Sequence, residues 1–178
     1  MSKAQEQETV LNARDSWQSE IIPFPLGFAP EIDLVGFEDL RFAPKWSDAT
    51  NENFWTYAFV WYVEKGNPVT EALLTQYFNS YYDGLMKIEF LNRMDTSKLH
   101  QVDHTNFLFV KSNEGFEGKM RVYDNFFAKD YMTLNIKVRE SICPKTNKQI
   151  IRCDISKQPF EHNVWRLFED VLLKVNCQ

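Results

Sequence analysis

In the run from Tyr131 to Ile142, apolar and polar positions alternate without interruption between Met132 and Arg139. Met132, Leu134, Ile136 and Val138 interleave with Thr133, Asn135, Lys137 and Arg139. Period two over that length predicts a strand with one buried face. Phe54 to Glu64, "FWTYAFVWYVE", is also strand-like by its aromatic and β-branched content, yet it hardly alternates. Shorter runs predict strands at Gly36–Ala43, Asn106–Lys111, Gly118–Phe126 and Gln149–Ser156. The spacing of Leu73, Tyr77, Tyr81, Leu85 and Ile88 predicts a helix over about 68–92, with Asn67 as N-cap and Pro68 at the first position. Val164, Phe168, Val171 and Val175 predict a second helix over about 161–175.

The order is β-β-α-β-β-β-β-α. Short connections between the later strands predict an antiparallel sheet of about six strands in an α+β domain. Two helices are expected to pack on one face of it. Ile21 to Trp46 carries Pro23, Pro25, Pro30 and Pro44, which forbid a long helix. This Pro-rich N-terminal segment is expected on or near the other face. Residues 1–16 read as a loose polar tail, leaving 17–178 as a single domain.

In the Phe54–Glu64 strand, Trp55, Tyr57, Phe59 and Trp61 form one set and Thr56, Ala58, Val60 and Tyr62 the other. The smaller set suits a close helix, since Ala58 lets a backbone approach. The larger set is then expected to face away, with Phe107 and Phe109, beside Lys119, Arg121, Tyr123, Lys137, Arg139 and Arg152. Such a face is aromatic and basic at once. Residues 21–46 could cover it fully, cover it in part and leave a pocket, or leave it open to a protein partner. The ligand-binding candidates are Trp55, Tyr57 and Trp61 for stacking, with Arg121, Tyr123 and Arg139 for an acidic group.

Composition narrows the alternatives. The 178 residues carry a net charge of −5 with a pI near 5.3, which argues against a nucleic-acid partner. No run is long and apolar enough to predict a membrane span. Fifteen Phe, seven Tyr and five Trp make the chain rich in aromatics. Residues 1–16 lack the apolar core of a signal peptide, so a native Met1 implies the cytoplasm, and a trimmed export signal implies the periplasm or secretion. Cys143, Cys153 and Cys177 are too few for a disulfide framework. Cys143 and Cys153 fall on opposite faces of their strands, which forbids a bridge between them. Three free thiols are expected.

No G-x-S-x-G, H-E-x-x-H or G-x-G-x-x-G motif occurs. "GFEGKM", Gly115 to Met120, reads as a hairpin turn rather than a phosphate loop. "HQVDH", His100 to His104, offers two imidazoles and a carboxylate, but it lies between a helix and a strand, so it reads as solvated histidines and no metal is expected. No cofactor is implied.

"FAPEIDLVGFEDLRFAPKW" followed by "FWTYAFVW" resembles a group of bacterial proteins of unknown function. That resemblance implies no activity. Such proteins often carry an export signal, which residues 1–16 do not show, and this weakens the cytoplasmic expectation without overturning it. The leading expectation is a binding module for a small anionic amphipathic or aromatic ligand. A protein-interaction or scaffold domain is the second. An enzyme with an unrecognised site, using His104 with Asp103, is the third.

Overall fold

The strands of the computed structural model, which describes residues 9–92, 106–175 and 177, begin with a short β1 at Leu11–Asn12. β2 (Gln18–Pro23), β3 (Gly36–Phe42) and β4 (Tyr57–Glu64) follow, then helix α1 (Glu71–Asn92). β5 (Asn106–Ser112), β6 (Gly115–Tyr123), β7 (Tyr131–Cys143) and β8 (Lys148–Ser156) form a second meander. A 3-10 helix at Asn163–Asp170 and β9 (Leu172–Leu173) end the chain. The main sheet has seven strands, all antiparallel, in the order β2-β3-β4-β8-β7-β6-β5. The molecule is thus α+β, and its main sheet has one more strand than expected, apart from the separate β1–β9 pair. The extra one is β2, which polar Gln18, Ser19 and Glu20 hide from a hydrophobic pattern. It is an edge strand, where Pro23 costs no ladder bond.

The central strand β4 is buried from Tyr57 to Val63 because protein covers it on both sides. Tyr57, Phe59, Trp61 and Val63 face α1, joined by Met132, Leu134, Ile136 and Val138 of β7 and Ile151, Cys153 and Ile155 of β8. Ala58, Val60 and Tyr62 face the other way, beneath β1, Trp17 and the 3-10 helix. The two expected helices therefore do not share a face. α1 presents Leu74, Phe78, Tyr82 and Met86 to the sheet, one step round from the predicted stripe. Thr70, not Asn67, caps it: the hydroxyl of Thr70 accepts the Leu73 N–H at 3.2 Å. The Pro-rich segment also lies on the α1 side, through Leu26, Ala29 and Ile32. It is pressed so close that a Cβ on Gly84 would sit 1.7 Å from the carbonyl oxygen of Phe28. Only glycine fits there.

The expected turn at Gly115–Met120 is strand: β6 starts at Gly115, and Gly118 leaves room for the rings of Phe107 and Phe109. Residues 1–8 lie outside the described residues, but residues 9–12 are anchored, not loose. One carboxylate oxygen of Asp39 accepts from the Thr9 hydroxyl at 2.7 Å, Val10 N–H at 2.7 Å and Leu11 N–H at 2.9 Å. Val10 and Leu11 are buried, and β1 pairs with β9. The C-terminal end is held by a Cys143–Cys177 disulfide. Cys153 is free and buried on the opposite face, so the expected separation of Cys143 from Cys153 stands, while three free thiols do not. Cys177 reaches Cys143 because the terminal segment folds back over the sheet, a tertiary event with no local signature. No helix among the described residues is long and apolar enough to cross a membrane.

Candidate functional site

The six predicted ligand residues divide between the two faces of the sheet. Trp55, Tyr57 and Trp61 are buried on the α1 side. Arg121, Tyr123 and Arg139 lie on the other. Arg121 stacks 3.9 Å over the ring of Tyr131, the Tyr123 hydroxyl donates to the Lys129 carbonyl at 2.9 Å, and Arg139 pairs with Asp154 at 2.5 Å. No single ligand can touch both sets. Within β4 the pattern identified which residues share a face, but it matched that face to the wrong side of β6 and β7 and to the wrong layer. Aromatic side chains of α1 take up the large set: Tyr81 stacks on Phe59 at 5.8 Å between ring centroids, 11° from parallel. Ala58 serves the other side, opposite Arg41 and Asp154, where charged side chains and the terminal segment need room.

Two of the three aromatics nevertheless line a cavity. It measures about 430 Å³ and lies between the β2–β3 edge, α1 and two loops. β2 contributes Glu20 and Ile22, β3 contributes Leu40 and Phe42, and α1 contributes Tyr81, Leu85 and Ile88. Trp46, Trp55 and Tyr57 form one wall and Phe126 and Phe127 another. Trp61 is core and does not line it. Each loop is fixed by its own hydrogen bonds. Asp124 is buried and accepts from the N–H groups of Phe126, Phe127 and Ala128 at 2.9, 3.1 and 2.7 Å, which turns both phenylalanines inward. Trp55 has a left-handed backbone, φ 52°, and its N–H donates to the Trp46 carbonyl at 2.8 Å. A bulky residue in that region costs on the order of 1 kcal/mol or more and is held there by its surroundings.

The polar groups in and behind this wall are nearly all paired. The Trp46 indole N–H donates to Gln18 at 3.2 Å, and the hydroxyls of Tyr57 and Tyr82 bond to each other. The Tyr81 hydroxyl donates to Glu38 at 3.4 Å, and the Trp61 indole donates to the same carboxyl at 3.2 Å. Glu38 is fully buried, and desolvation pushes its pKa from the ordinary 4.5 to about 8. Burial likewise raises Tyr57, Tyr81 and Tyr82. The indole N–H of Trp55 is buried with no acceptor.

Sequence reasoning missed Phe42, Trp46, Tyr81, Leu85, Phe126 and Phe127. "DNFFAKD" carried a usable signal: two adjacent phenylalanines in a short polar loop need something to cover them. A larger groove of about 650 Å³ runs beside Gly27 and Gly84, but Glu31, Ser80, Asp83 and Lys87 line much of it. His100 to His104 lie outside the described residues. Among the described residues no cluster of His, Cys, Asp or Glu is arranged to hold a metal ion. No family model, curated protein or solved structure matches this chain.

Proposed function

We propose that the protein is a binding module for a small, predominantly apolar molecule held in the Trp46–Trp55–Phe127 cavity. The observation that carries this reading is the wall itself: aromatic and aliphatic side chains from four parts of the chain enclose a volume within the roughly 300–1,000 Å³ typical of small-molecule sites. The expected anionic ligand gives way to an uncharged one, because the arginines meant to pair with it face the opposite side of the sheet. A protein-interaction role is the second reading. It is favoured by Leu108 and Val110, 70% and 53% exposed on the edge strand β5, next to Lys119 and Arg121. The Cys143–Cys177 disulfide supports residence in an oxidising compartment.

The test is titration with N-phenyl-1-naphthylamine, a neutral dye that fluoresces in apolar sites. Leu85→Trp fills the cavity, and Phe127→Asp places a charge at its partly exposed wall. Both variants are expected to weaken dye binding at least tenfold while keeping the wild-type circular dichroism. Equal binding to all three proteins would remove the cavity from consideration.

A further inference from the structure

The cavity has a buried floor and an exposed rim. Leu40, Trp55, Tyr57 and Tyr81 are buried, whereas Phe28, Leu85 and Ile88 are half-buried and Glu20 and Phe127 are exposed. The floor is poor in polar contacts for a ligand. The hydroxyl of Tyr57 bonds to Tyr82, that of Tyr81 donates to Glu38, and the indole N–H of Trp55 is enclosed by protein. A polar group on a ligand is therefore best placed at the rim, where it is not stripped of water without a partner. At the rim a second space begins. The groove of about 650 Å³ shares Phe28 and Ile88 with the cavity, so the two spaces meet at those side chains. α1 builds both by its period: Tyr81, Leu85 and Ile88 line the cavity, and Ser80, Asp83 and Lys87, also at helical spacing, form the adjoining strip in the groove. The backbone of Phe28 is pressed on α1 at Gly84, which fixes the partition between them. The chemistry of the groove is the reverse of the cavity's. Among the described residues, Glu31, Ser80, Asp83 and Lys87 bring it acceptors, donors and both signs of charge. None of the four is buried, so each can exchange water for a ligand.

We infer, resting on the reading of this cavity as a ligand site, that the ligand is a neutral amphiphile. Its apolar body fills the cavity, and a hydroxyl-bearing head, of the glycosyl or glyceryl kind, lies past Phe28 and Ile88 in the groove. A hydroxyl donates and accepts at once, so it can give to Glu31 or Asp83 while taking from Lys87 or Ser80. A carboxylate or phosphate head meets Glu20, Glu31 and Asp83 against one described cation, Lys87, and like charges side by side disfavour it. An ammonium head uses the carboxylates alone and sets a like charge beside Lys87. A hydrocarbon without a head occupies the cavity and leaves the groove to water. The cavity thus selects the body, and the groove selects the head.

Two probes with the same aromatic body separate the possibilities: 2-naphthyl β-D-glucopyranoside, with a hydroxylated head, and 2-methoxynaphthalene, without one. Affinity is read by displacement of N-phenyl-1-naphthylamine, which reports the cavity. The glucoside is expected to bind about tenfold more tightly, as one or two hydrogen bonds at the rim would give. Glu31→Ala/Asp83→Ala/Lys87→Ala is expected to bring the glucoside down to the affinity of 2-methoxynaphthalene, with the circular dichroism of the wild type. Glu31→Ala alone, at an exposed loop position, is expected to lose about threefold, and it serves where the triple variant does not fold. Equal affinity of the wild type for the two probes, an advantage that survives these substitutions, or binding of neither probe where the dye binds overturns the inference and leaves the binding module standing. Tighter binding of 2-(aminomethyl)naphthalene than of the glucoside overturns the inference as well, since the groove would then select charge. Failure of the dye and of every probe to bind overturns the binding module and the inference with it.

Discussion

Glu38 and Asp39 are neighbours on β3 and point to opposite faces of the sheet, and both are completely buried. Asp39 meets an ion-pair partner, Arg41, and accepts three hydrogen bonds from the N-terminal segment. Glu38 meets aromatic rings, one indole N–H and one phenol, and no cation among its hydrogen-bond partners. One face therefore uses a buried carboxylate as a fastener: the Asp39–Arg41 pair ties residues 9–11 to the sheet, while Arg152 ties the end of the 3-10 helix through the carbonyls of Phe168 and Val171. The other face keeps its acid unpaired by charge, next to a cavity. The first arrangement serves closure. The second leaves an apolar space intact behind a wall whose hydroxyls are already used, and it is the space to which the proposed ligand is assigned.

The sharpest way to break this comparison is Arg41→Ala. It strands Asp39 in the interior and removes the bond to the Leu11 carbonyl. Losing one partner of a buried ion pair costs roughly 3–5 kcal/mol, and urea denaturation is expected to show a loss of that size. The segment around Leu11 should also become sensitive to protease before the rest unfolds. A loss below about 1 kcal/mol would mean that the N-terminal segment is held by its apolar contacts alone.

Glu38→Gln tests the other carboxyl, with the opposite sign. In the folded protein Glu38 titrates near 8 and in the unfolded chain near 4.5. Between those values the folded state holds the extra proton, so stability falls as pH rises and levels off above about 8. The contribution is intact below 4.5. At 1.36 kcal/mol per pH unit the ceiling is about 5 kcal/mol, and water entering through the cavity mouth reduces it, so we expect an effect of about 2–3 kcal/mol. Glu38→Gln mimics the protonated acid. It is expected to match the wild type at pH 5 and to exceed it at pH 9 by that amount, measured by chemical denaturation at both. Parallel stability–pH curves for the two proteins would show that Glu38 is ionised without penalty.

The two faces were not equally legible in the sequence. β7 was plain, because Thr133, Lys137 and Arg139 mark the side away from the helix. β4 was not: period two establishes that Trp55, Tyr57, Phe59 and Trp61 belong together, but with Thr56, Ala58 and Val60 between them, only the first of them polar, nothing says which layer they meet. That choice depended on α1 presenting Phe78, Tyr81 and Tyr82, and the predicted stripe was displaced by one residue. The terminal clamp was invisible for a different reason. Its bonds join Asp39 to Thr9 and Cys143 to Cys177, pairings across 30 and 34 residues that no local pattern encodes. Of the six candidate residues, Trp55 and Tyr57 line the cavity, Trp61 is core, and Arg121, Tyr123 and Arg139 lie on the far side of the sheet.

The smallest expected effect is also the one that separates the two faces most cleanly. Arg121 is exposed on β6, paired in register with Thr133, and its guanidinium lies over Tyr131. An exposed contact of that kind contributes roughly 0.5–1 kcal/mol, so Arg121→Ala is expected to lower stability by no more than that. The cavity lies on the α1 side of the sheet, the side to which Met120 and Val122 of β6 also point. Its affinity for N-phenyl-1-naphthylamine should therefore be the same in Arg121→Ala as in the wild type, and 2-naphthoate should bind neither protein. Were a cationic group on this face part of the binding site, the carboxylate would bind the wild type and lose about tenfold or more in the variant, as expected for one charged hydrogen bond. That result would place the ligand on the outer face after all, among Lys119, Arg121 and Arg139, and would leave the aromatic cavity as a packing defect beneath Phe127.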